Sequence, residues 1–338
     1  MTTVAFSADD LTRLTMQALR RHGADEASAA AATRAMLHAS RLGVDSHGVR
    51  LLPHYCAALA GGRLKGAPDV RYARTGPASG MVDADDGLGH GAAYLAVGHA
   101  CDLARTNGIG AVGVHRSSHV GAAGAYALAG AEAGCITLFF TNADSGVLLH
   151  DGGAAFHGTN PIAAAAPAAG ARPWLFDMAT SSIPFNRVLL HRALDRPLPP
   201  DSAVDADGRP TTDAMAAQVL MPLGGAAFGY KGAGLAGLVT ILAALLTGGG
   251  ADDALIAMVG GPMDRPRNLG QFAIAIDPAF FGADDFSGDL ARYMTRLRQS
   301  VAADGGRVLA PGDREWLAAE ERDRTGIPMD AETAAFLR

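Results

Sequence analysis

Apolar residues recur at helical spacing at both ends of the chain and at strand spacing between them. Near the N-terminus, Leu11, Leu14, Ala18 and Leu19 form one face behind Ser7. Ser7 stands at a cap position with Asp10 three residues on, and Gly23 closes the helix. Asp25 heads a second, alanine-rich helix to about Leu42, stopped by Gly43. A third begins near Leu51, with Pro53 in the turn where proline is tolerated, and ends before Gly61-Gly62. Residues 1–68 thus read as a small helical domain.

The pattern then changes. Val70–Ala73 and Gly80–Ala84 read as short strands, Gly89–Thr106 as a helix, and Ile109–Val114 as a strand. Gly121–Ala133 is a predicted helix, and Ile136–Thr141 a buried strand. Further strands are predicted at Ile162–Ala166, Trp174–Asp177 and Phe272–Ile276, with an apolar helix over Leu235–Leu246. Leu198–Asp213 reads as a surface excursion with a tight turn at Asp207-Gly208. Asp284–Val301 is amphipathic, with Leu290, Tyr293, Met294, Leu297 and Val301 on one side, and short helices follow Pro311. The reading is an α/β domain over 69–284, with 285–338 returning onto the helical domain.

Composition narrows the class. Of 338 residues 49% are hydrophobic, enough for a large core, while 28 basic against 34 acidic residues leave a net charge of −6. No basic block or aromatic-spaced basic stripe is present, which argues against nucleic acid. The N-terminus lacks the basic and apolar regions of a signal peptide, and the apolar run Leu235–Thr247 reads as too short to span a bilayer. Cys56, Cys101 and Cys135 are odd in number and far apart, so a disulfide framework is not expected and a reducing cytoplasm fits.

Ser40–Tyr55 concentrates chemistry: Asp45, Ser46, His47, Arg50, His54 and Tyr55 can hold an anion and move a proton near neutral pH. A polar turn capping helix ends would use the same residues. His119 lies in Arg116–Gly124, which follows a strand and opens a helix, where it can act as acid or base or simply cap. His115 and His119 have metal-pair spacing, but no HExxH accompanies them, and no metal is expected. Gly232–Gly237 matches G-x-G-x-x-G, yet no hydrophobic strand precedes it, so a Rossmann site is disfavoured. Lys231 and the N–H groups beyond it could still meet a phosphate. Asp144 ends a buried strand and can orient a histidine or serve as a turn carboxylate. Asp177–Ser181 also follows a strand and suits either backbone contact with a ligand or a helix cap.

Together, Asp45–Arg50, Ser118–Gly124, Gly158–Ile162, Asp177–Ser181, Pro210–Asp213, Met221–Gly225 and Gly229–Gly232 resemble the malate/L-lactate dehydrogenase family of NAD(P)-dependent oxidoreductases, over nearly the full chain. That family is unrelated to the Rossmann-type lactate and malate dehydrogenases. The resemblance implies a non-Rossmann NAD(P)-binding α/β domain joined to a helical domain built from both chain ends, in a homodimer. It implies His47 and His119 as acid/base residues with Asp144 beside them. Ser46, Arg50 and Tyr55 would line the substrate pocket. NAD or NADP would contact Asp177, Met178, Ala179, Ser181, Lys231, Gly232, Pro311, Gly312 and Asp313. The substrate would be a small carboxylate, a 2-hydroxy or 2-oxo acid, with a cyclic ketimine acid as the alternative chemistry and a non-catalytic ligand-binding relative as the alternative class. Asn186-Arg187-Val188 replaces the Gly-Lys-Ile of many relatives, and Ser145–His150 also departs. Arg187 fits a 2′-phosphate or a solvated helix face equally.

Overall fold

The computed structural model describes residues 3–338, apart from the side chains of Ala193 and Asp304. The chain opens with strand β1 (Thr3–Phe6), which the hydrophobic pattern did not reveal because it finds its partner more than 300 residues later. Helices α1 (Ala8–Arg21), α2 (Glu26–Arg41) and α3 (Leu52–Ala60) follow. Ser7 and Asp25 cap the first two as expected, accepting from the N–H groups of Asp10 and Ser28. Between α2 and α3 the backbone makes two short 3-10 turns, Asp45–His47 and Val49–Leu51. Gly48 lies so close to Ser40 that a Cβ would sit 2.1 Å from its Oγ. That contact folds the chemistry-rich stretch back against α2.

A seven-stranded sheet forms the centre. Its strands are β2 (Arg71–Arg74), β3 (Ser79–Asp83), β4 (Ile109–Ser117), β5 (Ile136–Thr141), β8 (Ile162–Ala166), β9 (Trp174–Met178) and β13 (Leu269–Ile276), in the order β2-β3-β4-β13-β5-β8-β9. Only β3 and β4 run parallel; every other neighbouring pair is antiparallel. A dinucleotide-binding Rossmann sheet is parallel with a switch point, so this order excludes one. Helices α4 (Gly89–Asn107) and α5 (Gly124–Glu132) cover one face through small residues such as Ala96, Ala100 and Ala127, with Tyr126 against Phe139.

A second, five-stranded sheet holds β6 (Val147–Leu148), β7 (Ala155–His157), β10 (Ala203–Val204), β11 (Pro210–Thr211) and β12 (Val219–Leu220). The expected surface excursion Leu198–Asp213 is thus partly a hairpin of that sheet, turning at Gly208 (φ +77°). These strands are two or three residues long, too short for alternation to show. Helix α6 (Phe185–Ala193) packs on them through Val188.

Helix α7 (Gly225–Val239) continues through a widened π-type turn over Thr240–Leu245. The resulting 21-residue helix is longer than the apolar run suggested, and by length and composition it is long enough to cross a membrane. Its inward side packs Val239 and Ala243 against Phe140 of the large sheet. Beyond β13 come α8 (Phe286–Arg298), α9 (Asp313–Thr325), β14 (Ile327–Asp330) and α10 (Ala331–Phe336). Strand β14 pairs antiparallel with β1, Thr3 opposite Asp330. Ile327, Met329, Ala334 and Leu337 enter one core with Leu11, Met36 and Leu52, whereas Trp316 of α9 joins the core under the large sheet.

Candidate active site

The turn Asp45–His47 and the loop Ser118–Gly124 face each other. The rings of His47 and His119 stack with centroids 5.9 Å apart. Gly121 (φ +69°) makes this approach possible: a Cβ there would lie 3.1 Å from the His47 carbonyl oxygen. Ser46 Oγ is 2.8 Å from His47 Nδ1. On the other ring, Tyr55 Oη lies 2.7 Å from His119 Nδ1, and the Gly121 N–H donates to the same nitrogen at 3.2 Å. Both imidazoles sit deep among protein atoms yet remain partly open to solvent, as side chains on the wall of a recess do. Burial lowers the pKa of His47. It lowers that of His119 well below the usual histidine range, helped by His47, Arg267, His90 and His54.

Tyr55 is wholly buried, and burial pushes its phenol pKa up, so it stays protonated. It holds His119 rather than lining the pocket as a free substrate contact. Behind it lies His90, which sequence reading passed over: fully buried, edge-on to Tyr55 at 4.9 Å, and with neither ring nitrogen hydrogen-bonded. Burial lowers its pKa to about 3.

Asp144 meets no histidine by hydrogen bond. Its carboxylate pairs with Arg267, a guanidinium only 3% exposed, and accepts the Met258 N–H at 3.1 Å. The imidazole that senses both members of this pair is His54, whose pKa is lowered to about 4 by burial and by Arg63 and Arg267, against the opposing Asp144. Arg50 is half exposed, with Nε 3.7 Å from Asp330 Oδ2, so it faces the C-terminal strand rather than standing free beside the histidines.

The segments expected at the cofactor gather along β9. At its end, Asp177 accepts the N–H of Gly124 at 2.7 Å, which ties β9 to the His119 loop. Any Cβ at Gly124 would meet that carboxylate at 2.9 Å. Asp177 lies in a crowded recess but is solvent-open. Desolvation raises its pKa to about 6, against the opposing Gly124 bond. Met178 and Ala179 are half exposed beside it. Ser181, which donates to Ile183 O, bridges to Pro222; Leu223 N–H donates to Thr180 O, and Gly232 N–H donates to Leu223 O. Segments 177–181 and 231–232 therefore converge. Lys231 is exposed and lies over the Phe228 and Tyr230 rings. At the start of β9, Leu175 N–H approaches Pro311 O at 3.5 Å, and Gly312 (φ +94°) fits against Leu175. The Asp313 carboxylate is taken by Arg298 and the Ala310 N–H.

The G-x-G-x-x-G run lies inside α7, which begins at Gly225, ten residues before the predicted helix start at Leu235. Gly232 is required for packing: a Cβ would stand 2.3 Å from Leu223 N. Asp252, which opens the short 3-10 turn Asp252–Ala254, is 1% exposed. It accepts from Asn160 Nδ2 (2.7 Å), Thr240 Oγ1 (2.8 Å), His157 Nδ1 (3.1 Å), Gly158 N (3.1 Å) and Asn142 Nδ2 (3.1 Å). It joins the end of β5, the Gly158–Asn160 loop and the π-type turn. The only signal for it was Asn160 within a family motif. Among the described residues no group of three or more His, Cys, Asp or Glu side chains is arranged to hold a metal.

The mostly antiparallel sheet sets the protein outside the Rossmann class, with stacked imidazoles on a loop that is tied to a carboxylate at the end of β9. The chain belongs to the malate/L-lactate dehydrogenase family, whose profile matches residues 6–338. It is 33% identical over 325 residues to the NAD(+) ureidoglycolate dehydrogenase of Escherichia coli K12, covering 96% of this chain and 92% of that one. It is 32% identical over 328 residues to the Δ1-pyrroline-2-carboxylate/Δ1-piperideine-2-carboxylate reductase of Pseudomonas aeruginosa, covering 96% of each. Sulfolactate dehydrogenase from Methanocaldococcus jannaschii superimposes with a TM-score of 0.91 at 28% identity, covering 99% of this chain and 95% of that one. The protein is accordingly an NAD(P)-dependent oxidoreductase acting on small carboxylic acids.

Proposed function

We propose that the enzyme interconverts a small 2-hydroxy acid and its 2-oxo acid, with His47 and His119 at the reacting oxygen and the cofactor lying along the end of β9. One observation carries this: the Gly124–Asp177 hydrogen bond ties the loop that carries His119, stacked on His47, to the end of β9, where Asp177, Met178 and the following Ala179 reach solvent. The recess fits a nicotinamide cofactor, because Asp177 keeps a carboxylate oxygen free and Gly124 and Gly232 bring backbone close where side chains would intrude. When bound, the nicotinamide supplies or takes a hydride at C4. Ser46 and Arg50 are the residues proposed for the substrate carboxylate; Arg50 would leave Asp330 to reach it, forming a charge-assisted pair. Lys231 and the Pro311–Asp313 loop would contact the remoter parts of the cofactor.

A cyclic ketimine acid is the second reading, favoured by the likeness to the Pseudomonas aeruginosa reductase and by a cluster of histidines all biased towards neutrality, since a ketimine already carries its proton. We also infer a homodimer, for which exposed Leu238 of α7 and Ile241 and Leu245 of its π-type continuation supply an apolar face, and a cytoplasmic location, which suits three free buried cysteines. Assaying pyruvate, 2-oxoglutarate-like acids and Δ1-piperideine-2-carboxylate with NADH and NADPH separates the readings. No turnover on the whole panel by the folded protein would overturn both.

A further inference from the structure

The two histidines differ in what their Nδ1 atoms touch. His47 Nδ1 faces the Ser46 hydroxyl, which can donate to a bare nitrogen or accept from a protonated one. His47 can therefore gain or lose a proton without losing that bond. His119 Nδ1 faces the Gly121 N–H, which can only donate, so this nitrogen must offer its lone pair. The Tyr55 hydroxyl, 2.7 Å away, is then a donor to the same lone pair. A proton on His119 Nδ1 would confront the Gly121 N–H directly.

We propose that Tyr55 is a positioning residue that, with Gly121, fixes His119 as a neutral imidazole bearing its proton on Nε2, and that His47 is the residue that exchanges the proton with substrate. This rests on the hydride-transfer reading of the site and divides the labour within it. His119 Nε2–H polarises the substrate oxygen by hydrogen bonding, as a neutral imidazole can. As the substrate carbon accepts a hydride, the carbonyl π pair moves to oxygen, and the oxygen takes its proton from His47 Nε2. A bound nicotinamide would supply the two electrons as that hydride, and His47 regains a proton from solvent. In the reverse direction neutral His47 takes the hydroxyl proton.

The surroundings agree with this division. His119 is faced by Tyr55 and His54 from α3, His47 from the 45–47 turn, His90 from α4 and Arg267 from the segment before β13. None of these is an anion, and the nearby Asp144 is already committed to Arg267. Tyr55 is itself fixed edge-on against His90 in a fully buried site.

The test is nitrogen-15 NMR of histidine-labelled free enzyme, combined with kinetics of four variants. His119 is expected to stay in the Nε2–H form without titrating across the pH range in which His47 titrates. Tyr55→Phe should let His119 populate the other tautomer and should lower kcat with KM changed less than about twofold. His119→Gln, which keeps an N–H donor, should retain more activity than His119→Ala. His47→Gln should cost at least about 100-fold in kcat and remove the ionisation from the pH profile. An imidazolium at His119 near neutral pH, or an ionisation that survives in His47→Gln and disappears in His119→Gln, would overturn the proposal. The NMR arm needs no substrate and no altered residue. Absence of turnover would thus fail the hydride-transfer reading while leaving the tautomer decided, and if Tyr55→Phe misfolds, the wild-type spectrum alone still decides it.

Discussion

Arg322 of α9 reaches back 277 residues to Asp45, with Nη2 2.9 Å from Asp45 Oδ2 and Nη1 on both Asp45 Oδ1 and the Ser40 carbonyl. Arg41–Asp323 and Arg50–Asp330 flank it, so three C-terminal residues grip the stretch that carries Ser46 and His47. The guanidinium is 15% exposed and Asp45 44%, so solvent screens part of the attraction. Arg322→Met should cost about 1 kcal/mol in denaturant unfolding. It should lower kcat more than it weakens cofactor binding, because it loosens the His47 turn and leaves β9 intact. An unchanged kcat at normal folding would show that the turn holds its shape without the clamp.

Asp252 gathers five donors from three segments, none of them adjacent to it in sequence. Asp252→Ala would leave Asn160, Thr240 and His157 facing a buried gap, and a loss of about 3–5 kcal/mol is expected. Burial raises its pKa, but the bonds from His157, Asn160 and Thr240 outweigh that and leave it below 3.8. The folded pKa being depressed, this contribution is complete above the unfolded value of about 3.9 and is lost as pH falls through the folded one. Acid unfolding followed by circular dichroism should therefore begin at higher pH in Asp252→Asn than in the wild type.

Much of this was legible where the determinants are local. The Ser7 and Asp25 caps, the buried strand β5 and the order of motifs could all be read from neighbouring residues. The resemblance also led from short motifs to the His47–His119 pair. What escaped depended on partners distant in sequence. Strand β1 alternates over four residues and is defined by β14. Asp252 in isolation is a loop aspartate. The pairing of Arg50 with Asp330 escaped because nothing nearby in sequence announced it. Asp144 looked like a histidine's partner for the same reason, Arg267 being 123 residues away.

The glycine pattern inside α7 offers a separate test. In a dinucleotide fingerprint the second glycine admits the pyrophosphate and the first makes the tight turn. Here the geometry ranks them otherwise. A Cβ at Gly232 would stand 2.3 Å from Leu223 N, whereas at Gly234 it would meet nothing within 4 Å. Gly234→Ala should leave NAD(P)H binding unchanged and stabilise the helix by about 0.5–1 kcal/mol. Gly232→Ala must move the 221–223 segment away from Thr180 and should weaken both stability and cofactor binding. The reverse ranking, measured by thermal unfolding and fluorescence titration of NADH, would restore the fingerprint reading.

If the cofactor binds at the end of β9 as proposed, Asp177 should make its binding sensitive to pH just below neutrality. Desolvation raises its pKa to about 6, and the Gly124 N–H, which favours the carboxylate, only partly offsets this. Because the folded pKa lies above the unfolded one, its contribution to stability is greatest below about pH 3.9 and is lost as pH rises through about 6. The side chain's open face lets solvent screen the effect, so the change in stability should be small. Its effect on binding should be larger. Once ionised, one oxygen holds the Gly124 N–H and the other is free to accept a hydrogen bond from a cofactor hydroxyl or amide. NADH affinity measured by calorimetry should therefore tighten as pH rises from 5 to 7. Asp177→Asn keeps an acceptor but cannot ionise, and it should flatten that dependence. A dependence that persists unchanged in the variant would move the titrating group elsewhere, with His47 the next residue to replace.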